Sequence, residues 1–354
     1  MRALVLAGGT GSRLRPFSYS IPKQLIPIAN RPVLAHVLDN IRALGVEQVG
    51  VIVGDGSRQI REEIGDGSRF GLAVTYIPQE RPLGLAHCVA IARPFLGDDD
   101  FVMYLGDNML PEGVGVPAAG FAAARPAAHV VVRKVVDPRA FGVAEFRPDG
   151  VLERVVEKPD RPRSDLALIG VYFFTAAIHR AVAAIEPSAR GELEITDAIQ
   201  WLVDQGEQVT AAEYTGFWRD VGRVEDVLEC NRRLLADLRT GVEGLLGDGV
   251  RISGPVVIEA GARVERSRVE GPALIGAGTV VEDSEVGPGT SIGRDCTLRG
   301  ARVRDSVVMD GVCLTAPVEL RDSLIGRGAV IGMPSGDGPY RLIVGDSTRI
   351  EAAT

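Results

Sequence analysis

The chain predicts two architectures in series: an α/β domain on a largely parallel, mixed sheet over residues 1–240, then a parallel β-helix over residues 241–354. Two observations carry this. Short apolar runs alternate with segments of helical spacing as far as about residue 240, which is the pattern of strands joined by crossover helices. Beyond Gly241, branched apolar residues recur about every six positions, with Gly, Asp, Ser and Pro between them.

Taken in order, Ala3–Leu6 is a short apolar strand running into glycines, and Pro32–Leu44 has the apolar spacing of a helix. Val49–Val53 reads as a buried strand and Arg58–Ile64 as a helix. Val74–Ile77 and Phe101–Leu105 are again strands. Arg223–Leu238 is an amphipathic helix, with Val227, Leu228, Leu234, Leu235 and Leu238 apolar, and is expected to close the first domain.

In the second region the apolar series runs Ile252, Ile258, Val264, Ile275, Val281, Val286, Ile292, Leu298, Val303. Val264-Glu-Arg-Ser-Arg-Val269, Val281-Glu-Asp-Ser-Glu-Val286, Val303-Arg-Asp-Ser-Val-Val308 and Leu320-Arg-Asp-Ser-Leu-Ile325 share one template. A period near six fits triangular coils whose inward side chains stack on the coil above. A β-sandwich with regular turns is the other reading, and the four copies argue against it. The tail Tyr340–Ile350 is expected to cap the open end of the last coil.

Bulk properties narrow the function. The net charge is −8 and the pI about 5.2, so no basic field is available for nucleic acid or an anionic membrane. The cysteines at 88, 230, 296 and 313 form no C-x-x-C pair, so neither a zinc site nor a disulfide framework is expected. The N-terminal apolar run is too short for a secretory signal, and no stretch is long enough to span a bilayer. A cytoplasmic location is expected. Only Lys23, Lys134 and Lys158 are lysines among 39 basic residues. Lysine kept against such a preference for arginine points to a need for its compact ammonium.

Leu4-Val-Leu-Ala-Gly8-Gly9-Thr10-Gly11-Ser12-Arg13-Leu14 follows the first strand. Glycines there let backbone N–H groups approach a phosphate, although tight turns use glycine too. No lysine follows as in a P-loop, and Leu14 stands where the dinucleotide fingerprint has its third Gly. Lys23 lies in Ile21-Pro-Lys-Gln-Leu-Ile-Pro27, a segment that its two prolines are expected to hold extended. As a single residue it reads equally as a phosphate ligand or a solvated lysine.

Leu6–Leu14 together with Pro22-Lys-Gln-Leu25 resembles the signature of the sugar nucleotidylyltransferases. The resemblance extends along the whole chain and is strongest to the longer glucose-1-phosphate thymidylyltransferases, which carry a C-terminal left-handed β-helix. It implies a Rossmann-like nucleotidyltransferase domain, the substrates dTTP and glucose 1-phosphate, and Mg2+. A related uridylyltransferase, or a catalytically inactive regulatory or scaffold subunit, are the other readings; the presence of Arg13, Lys23, Asp107 and Asp220 argues against an inactive subunit.

The implied reaction is attack of a sugar-phosphate oxygen on the α-phosphorus of a nucleoside triphosphate. The nucleophile is already an anion, so positioning and electrostatics must supply the catalysis. By resemblance, Arg13, Lys23 and Asp107 are the catalytic residues. Leu6, Gly8, Gly9, Gly11, Ser12, Arg13 and Gln24 surround the nucleotide, and Gln79 and Gly84 read its base, Gly84 leaving room for it. A glutamine amide offers both a donor and an acceptor to a pyrimidine. Asp107, in Met103-Tyr-Leu-Gly-Asp-Asn108, and Asp220, in Phe217-Trp-Arg-Asp-Val-Gly222, hold the metal; alone, either aspartate could serve a turn.

Asn108, Gly142, Glu157, Lys158, Leu168, Gly170, Tyr172 and Arg190 are the implied sugar-phosphate ligands. Glu157 and Lys158 are strand neighbours and should face opposite ways, so a turn at Pro159 is expected to redirect one of them. A surface ion pair is the alternative for these two. None of the four histidines (36, 87, 129, 179) falls in the repeat region, so no acyltransferase activity is expected there. The repeats are expected to be structural and to support a homo-oligomer, a tetramer being favoured.

Overall fold

A computed structural model describes residues 1–9, 11–54, 57–315, 317–333, 336 and 338–351. Its contacts divide the chain into two compact units, Met1–Thr10 with Leu34–Asp220, and Gly11–Val33 with Val221–Thr354.

The first unit follows the sequence closely. Its elements are β1 (Arg2–Leu6), α1 (Val33–Ala43), β2 (Gln48–Val53), α2 (Ser57–Ile64), β3 (Ala73–Pro78), α3 (Leu85–Ile91), β4 (Phe101–Leu105), β5 (Asn108–Met109), α4 (Gly115–Ala124), β6 (Ala128–Lys134), β7 (Gly142–Phe146), β8 (Leu152–Glu157), β9 (Leu166–Phe174), α5 (Ile178–Ala184), α6 (Ile195–Asp204), β10 (Val209–Glu213) and β11 (Arg219–Asp220). The main sheet runs β8-β7-β9-β4-β1-β2-β3, with β6 and β10 joined to it through β9. β1 pairs in parallel with both β2 and β4, and β2 in parallel with β3. β9 is antiparallel to β4, β6 and β7, which makes the sheet mixed. Strands covered on both faces need no alternation, which is why β1 and β4 read as continuous apolar runs. Leu4, Phe101, Met103 and Phe174 lie in that core, with the Phe101 and Phe174 rings 5.5 Å apart.

In the second unit, three parallel sheets of short strands form the left-handed β-helix. Val256 pairs with Ala273 and Ala273 with Thr290, so most coils take 17 residues, one fewer than three hexads. The shortened corners are the Ser-containing template. Arg266, Asp283, Asp305 and Asp322 there adopt φ of 44–49°, and the following serine bridges coils. Ser284 N–H donates to Ser267 Oγ (3.0 Å), and Ala301 N–H to Ser284 Oγ (3.1 Å). Ser323 N–H donates to Ser306 Oγ (3.1 Å), and Leu342 N–H to Ser323 Oγ (2.9 Å). The four copies of the template therefore build two separate serine ladders: Val264 and Val281 lie in one sheet, Val303 and Leu320 in another.

Two expectations change here. The tail is a further coil: Ile343–Val344 and Arg349–Glu351 extend two of the sheets, and Tyr340 bridges to Leu320. It meets the exposed strand edges by pairing with them. The helix α7 (Val224–Ala236) belongs with the coils by its contacts, although the sequence places it at the end of the first domain. Asn231 is the reason: it stands on the apolar face, fully buried, and donates from Nδ2 to Gly289 O (3.1 Å).

Candidate active site

In the first unit, the chain leaves β1 through Gly8 and Gly9. Gln79, just past the end of β3, sets its Oε1 3.5 Å from where a Cβ on Gly8 would lie. Its Nε2 is 3.0 Å from His87 Nδ1 and 3.4 Å from Gly84 O. Leu6, Gly8, Gln79 and Gly84 thus come together at the C-terminal ends of parallel strands, where open α/β sheets bind ligands. Gly84 has a different reason from the one expected. Its φ is 101°, and a Cβ would meet Leu193 O at 2.3 Å, so the space it leaves is taken by backbone of the same chain. Leu193 in turn bonds to Leu83 and Ala86, tying the segment before α6 to the segment that carries Gly84.

Gly106 N–H donates to Leu6 O (2.9 Å), which brings Asp107 beside the end of β1. β5 and β11 pair antiparallel with Asp220 opposite Asn108, so Asp220 stands across from the residue that follows Asp107. Asp107 is buried and Asp220 half-buried. Asn108 is fixed from two sides: Trp218 Nε1–H donates to its Oδ1 (3.0 Å), and its Nδ2 lies 2.2 Å from where a Cβ on Gly170 would be. Gly170 has φ 74°, so any side chain there meets both backbone strain and Asn108.

Of the residues expected on the sugar side, Glu157, Lys158 and Arg190 form one charged cluster. Glu157 Oε1 lies 3.1 Å from Lys158 Nζ and 3.4 Å from Arg190 Nη1, and Thr196 Oγ1 donates to its Oε2 (3.2 Å). Lys158 itself, at φ 39°, turns its ammonium back toward Glu157; the redirection expected of Pro159 is made one residue earlier. A non-glycine residue in that region holds strain that its surroundings must maintain. Gly142 packs beneath, where a Cβ would touch Thr196 Cγ2 at 2.7 Å. Arg190 also reaches Glu192 (3.2 Å) and Glu194 (3.3 Å). Burial, then the nearby Glu157 charge, pushes the Glu194 and Asp197 carboxyls above their ordinary range. Tyr172 is buried and stacked on Phe174, and burial raises its hydroxyl. Leu168 is buried beside it on β9.

In the second unit, Gly11 has φ 61° and opens a single 3-10 turn, Ser12–Leu14, that leaves Ser12 and Arg13 exposed. The Arg13 guanidinium packs on Gly222, where a Cβ would sit 2.8 Å from Nη2. The Lys23 stem packs on Gly11 in the same way, at 3.0 Å. Lys23–Leu25 is also a 3-10 turn, not the extended segment that its flanking prolines predict. Leu25 N–H bonds to Pro22 O (2.8 Å), because Pro22 sets the entry angle without itself entering the turn. Gln24 is buried, with its Oε1 lacking a protein partner. Thr10 lies outside the described residues.

Sequence reasoning did not single out Trp218, Thr196, Leu193 or His87. Thr196 and Leu193 lie in Arg190-Gly-Glu-Leu-Glu-Ile-Thr-Asp197, and Trp218 two residues before Asp220, so proximity to named residues was the available signal.

Two carboxylates are a donor set suited to a hard divalent cation that draws its remaining ligands from phosphates and water. No cluster of three or more His, Cys, Asp or Glu side chains of metal-binding geometry occurs among the described residues. Likewise, no helix among them is long and apolar enough to cross a membrane.

Comparison with known proteins sets this geometry in context. The nucleotidyl transferase family model matches residues 2–237. A glucose-1-phosphate thymidylyltransferase of Streptomyces griseus is 54% identical over 268 residues, 76% of each chain. Its counterpart from Streptomyces antibioticus is 53% identical over 269 residues, again 76% of each chain. A solved structure from Bacillus anthracis, a candidate glucose-1-phosphate thymidylyltransferase in complex with sucrose, superposes with a TM-score of 0.63 at 31% identity, covering 68% of this chain and 97% of that one.

Proposed function

The chain belongs to the nucleotidyl transferase family, and on that premise we propose that it transfers a deoxythymidylyl group from dTTP to glucose 1-phosphate, giving dTDP-glucose and pyrophosphate. The observation that carries the choice of substrates is the 54% identity to the Streptomyces griseus thymidylyltransferase over 76% of both chains. The approach of Gln79 to Gly8 at the strand ends supports it, because a carboxamide beside close-approach backbone suits a planar pyrimidine.

In this reading a phosphate oxygen of glucose 1-phosphate attacks the α-phosphorus of dTTP. The new O–P bond forms as the bridge to the β-phosphate breaks, and pyrophosphate leaves with its electron pair. No proton has to move. Arg13 stabilises the charge growing on the leaving group, and Lys23 neutralises the attacked phosphate. Asp107 and Asp220 would hold a divalent cation, magnesium in this reading, which when bound would offset phosphate charge. Lys158 and Arg190 now pair with Glu157; an arriving sugar 1-phosphate competes for those cations and frees the carboxylate to accept from sugar hydroxyls. Asn108, Gly142, Leu168, Gly170 and Tyr172 line the sugar side. Gly9, Gly11, Ser12, Gln24 and backbone at Leu6 attend the nucleotide. Residues 1–240 are assigned to catalysis and residues 241–354 to structure and assembly, in a cytoplasmic homo-oligomer with four subunits as the favoured count.

The test is pyrophosphate release with magnesium across dTTP, UTP, GTP, CTP and ATP, each with the 1-phosphates of glucose, galactose, mannose and N-acetylglucosamine. A preference for dTTP with glucose 1-phosphate is expected, and Arg13→Ala should lower kcat by roughly a hundredfold or more. A preference for UTP would make the protein a uridylyltransferase. Release with no pair would leave a scaffold role.

A further inference from the structure

The turn Ala29–Asn30 joins the short strands Pro27–Ile28 and Arg31–Pro32, and both of its residues are left-handed, at φ 49° and 59°. Two successive positive φ values are the geometry of a tight hairpin turn that normally takes Asn-Gly or Gly-Gly. Alanine is poorly suited to it, so something else must hold the turn. Ala29 N–H donates to Asn231 Oδ1 (2.9 Å), and Asn30 Nδ2 donates to Ile292 O (2.6 Å) on a coil strand. Asn231 Oδ1 also accepts from Ser291 Oγ (2.9 Å), while its Nδ2 donates to Gly289 O. One buried carboxamide on α7 thus joins the hairpin tip to the coil.

The same stretch is anchored twice more. Arg13 packs on Gly222, just before α7, whose start is capped by Gly222 and Arg223 N–H donating to Asp226 Oδ2 (3.2 and 2.8 Å). Pro16 packs on Gly345 of the last coil, where a Cβ would lie 3.2 Å from Pro16 Cβ. The stretch 11–33, which carries Arg13 and Lys23, is therefore held at Arg13 by Gly222, at Pro16 and Asn30 by the coils and at Ala29 by α7.

We propose that the β-helix domain positions the loop carrying the phosphate-binding cations, with Asn231 as the positioning residue. The proposal rests on the reading of Arg13 and Lys23 as ligands of the triphosphate. It gives the repeats a part in turnover beyond assembly, because a loop displaced by an ångström misaligns charges that must meet the transition state.

Asn231→Ala in the full-length protein should lower kcat and raise KM for dTTP, changing kcat/KM by roughly a hundredfold, with KM for glucose 1-phosphate unchanged. Loss of folded protein alone would scale kcat and leave both KM values in place. Adding Ala29→Gly should restore much of the lost activity, since glycine holds the turn without help from Asn231. Asn30→Ala, which removes one bond at the tip, should give the same pattern more weakly and serves if Asn231→Ala does not fold. Wild-type kcat and KM in a folded Asn231→Ala protein would overturn the proposal. If the wild-type protein released no pyrophosphate with any pair, the functional reading would fall instead. Amide exchange across residues 11–33 would then decide the positioning: faster exchange in Asn231→Ala supports it, and unchanged exchange refutes it.

Discussion

The sheet unit and the coil unit place their side chains by different means. In the coils a position is set by repetition, and each serine hydroxyl does what its counterpart one coil away does. Stability there is close to a sum over neighbouring rungs, so no single rung is decisive. In the sheet unit the candidate site depends on unrepeated approaches: Gly170 against Asn108, Gly142 against Thr196, Gly84 against Leu193. None has a duplicate. A missing methylene in the coils is shared among rungs, whereas an added methyl in the sheet unit has nowhere to go.

The largest predicted effect tests the unrepeated kind. Gly170→Ala puts a Cβ into the Asn108 amide at a positive φ and should destabilise by about 2–4 kcal/mol. Asn108 lies beside Asp107 and opposite Asp220, so kcat should also fall by roughly a hundredfold. Chemical denaturation with steady-state kinetics checks both, and wild-type kinetics would remove Asn108 from the site.

Acid should separate the units next. All four histidines precede residue 180, and burial lowers the pKa of His129 and His179 from 6.5. A base with a lowered folded pKa binds fewer protons in the native state, so stability is lost as pH falls below 6.5 toward the folded values. Thermal melts at pH 7.5 and 5.5 should show a drop that His129→Gln with His179→Gln reduces. In the coils, Arg266 holds the Asp283 carboxyl below its usual 3.8. That contribution is lost only at lower pH, as the carboxylate takes up its proton, and solvent weakens it.

The smallest effect belongs to the repeats. Ser284→Ala leaves Ala301 N–H without its acceptor and should cost about 1–3 kcal/mol, with kcat and KM unchanged. A fall in kcat comparable to that of Gly170→Ala would erase the distinction between the units.

The same contrast explains what the sequence made legible. Periodic features were readable: the six-residue step, the Ser template, the apolar strands and α7 each carry their own spacing. The chemical types in the glycine loop, and in the segments around Asp107 and Asp220, were readable because charged residues stand among glycines and strand ends. Pairings at long range were not. Trp218 and Asn108 are 110 positions apart, and Ala29 and Asn231 are 202 apart, so neither leaves a local pattern. The left-handed Lys158 and the 3-10 turn at Lys23 were missed for a related reason. Proline rules fix the residues beside them, while tertiary contacts decide the turn itself.

The bond from Ala29 to Asn231 also has a consequence in time. A ribosome releases the N-terminus first, and domains form as they emerge. The hairpin tip is made early, but its partners at 231, 289, 291 and 292 are made more than two hundred residues later. Until the coils have been synthesised, the bonds from Asn30 to Ile292 and from Asn231 to Gly289 and Ser291 cannot form. The hairpin tip therefore gains its full set of bonds only after residue 292 has been made.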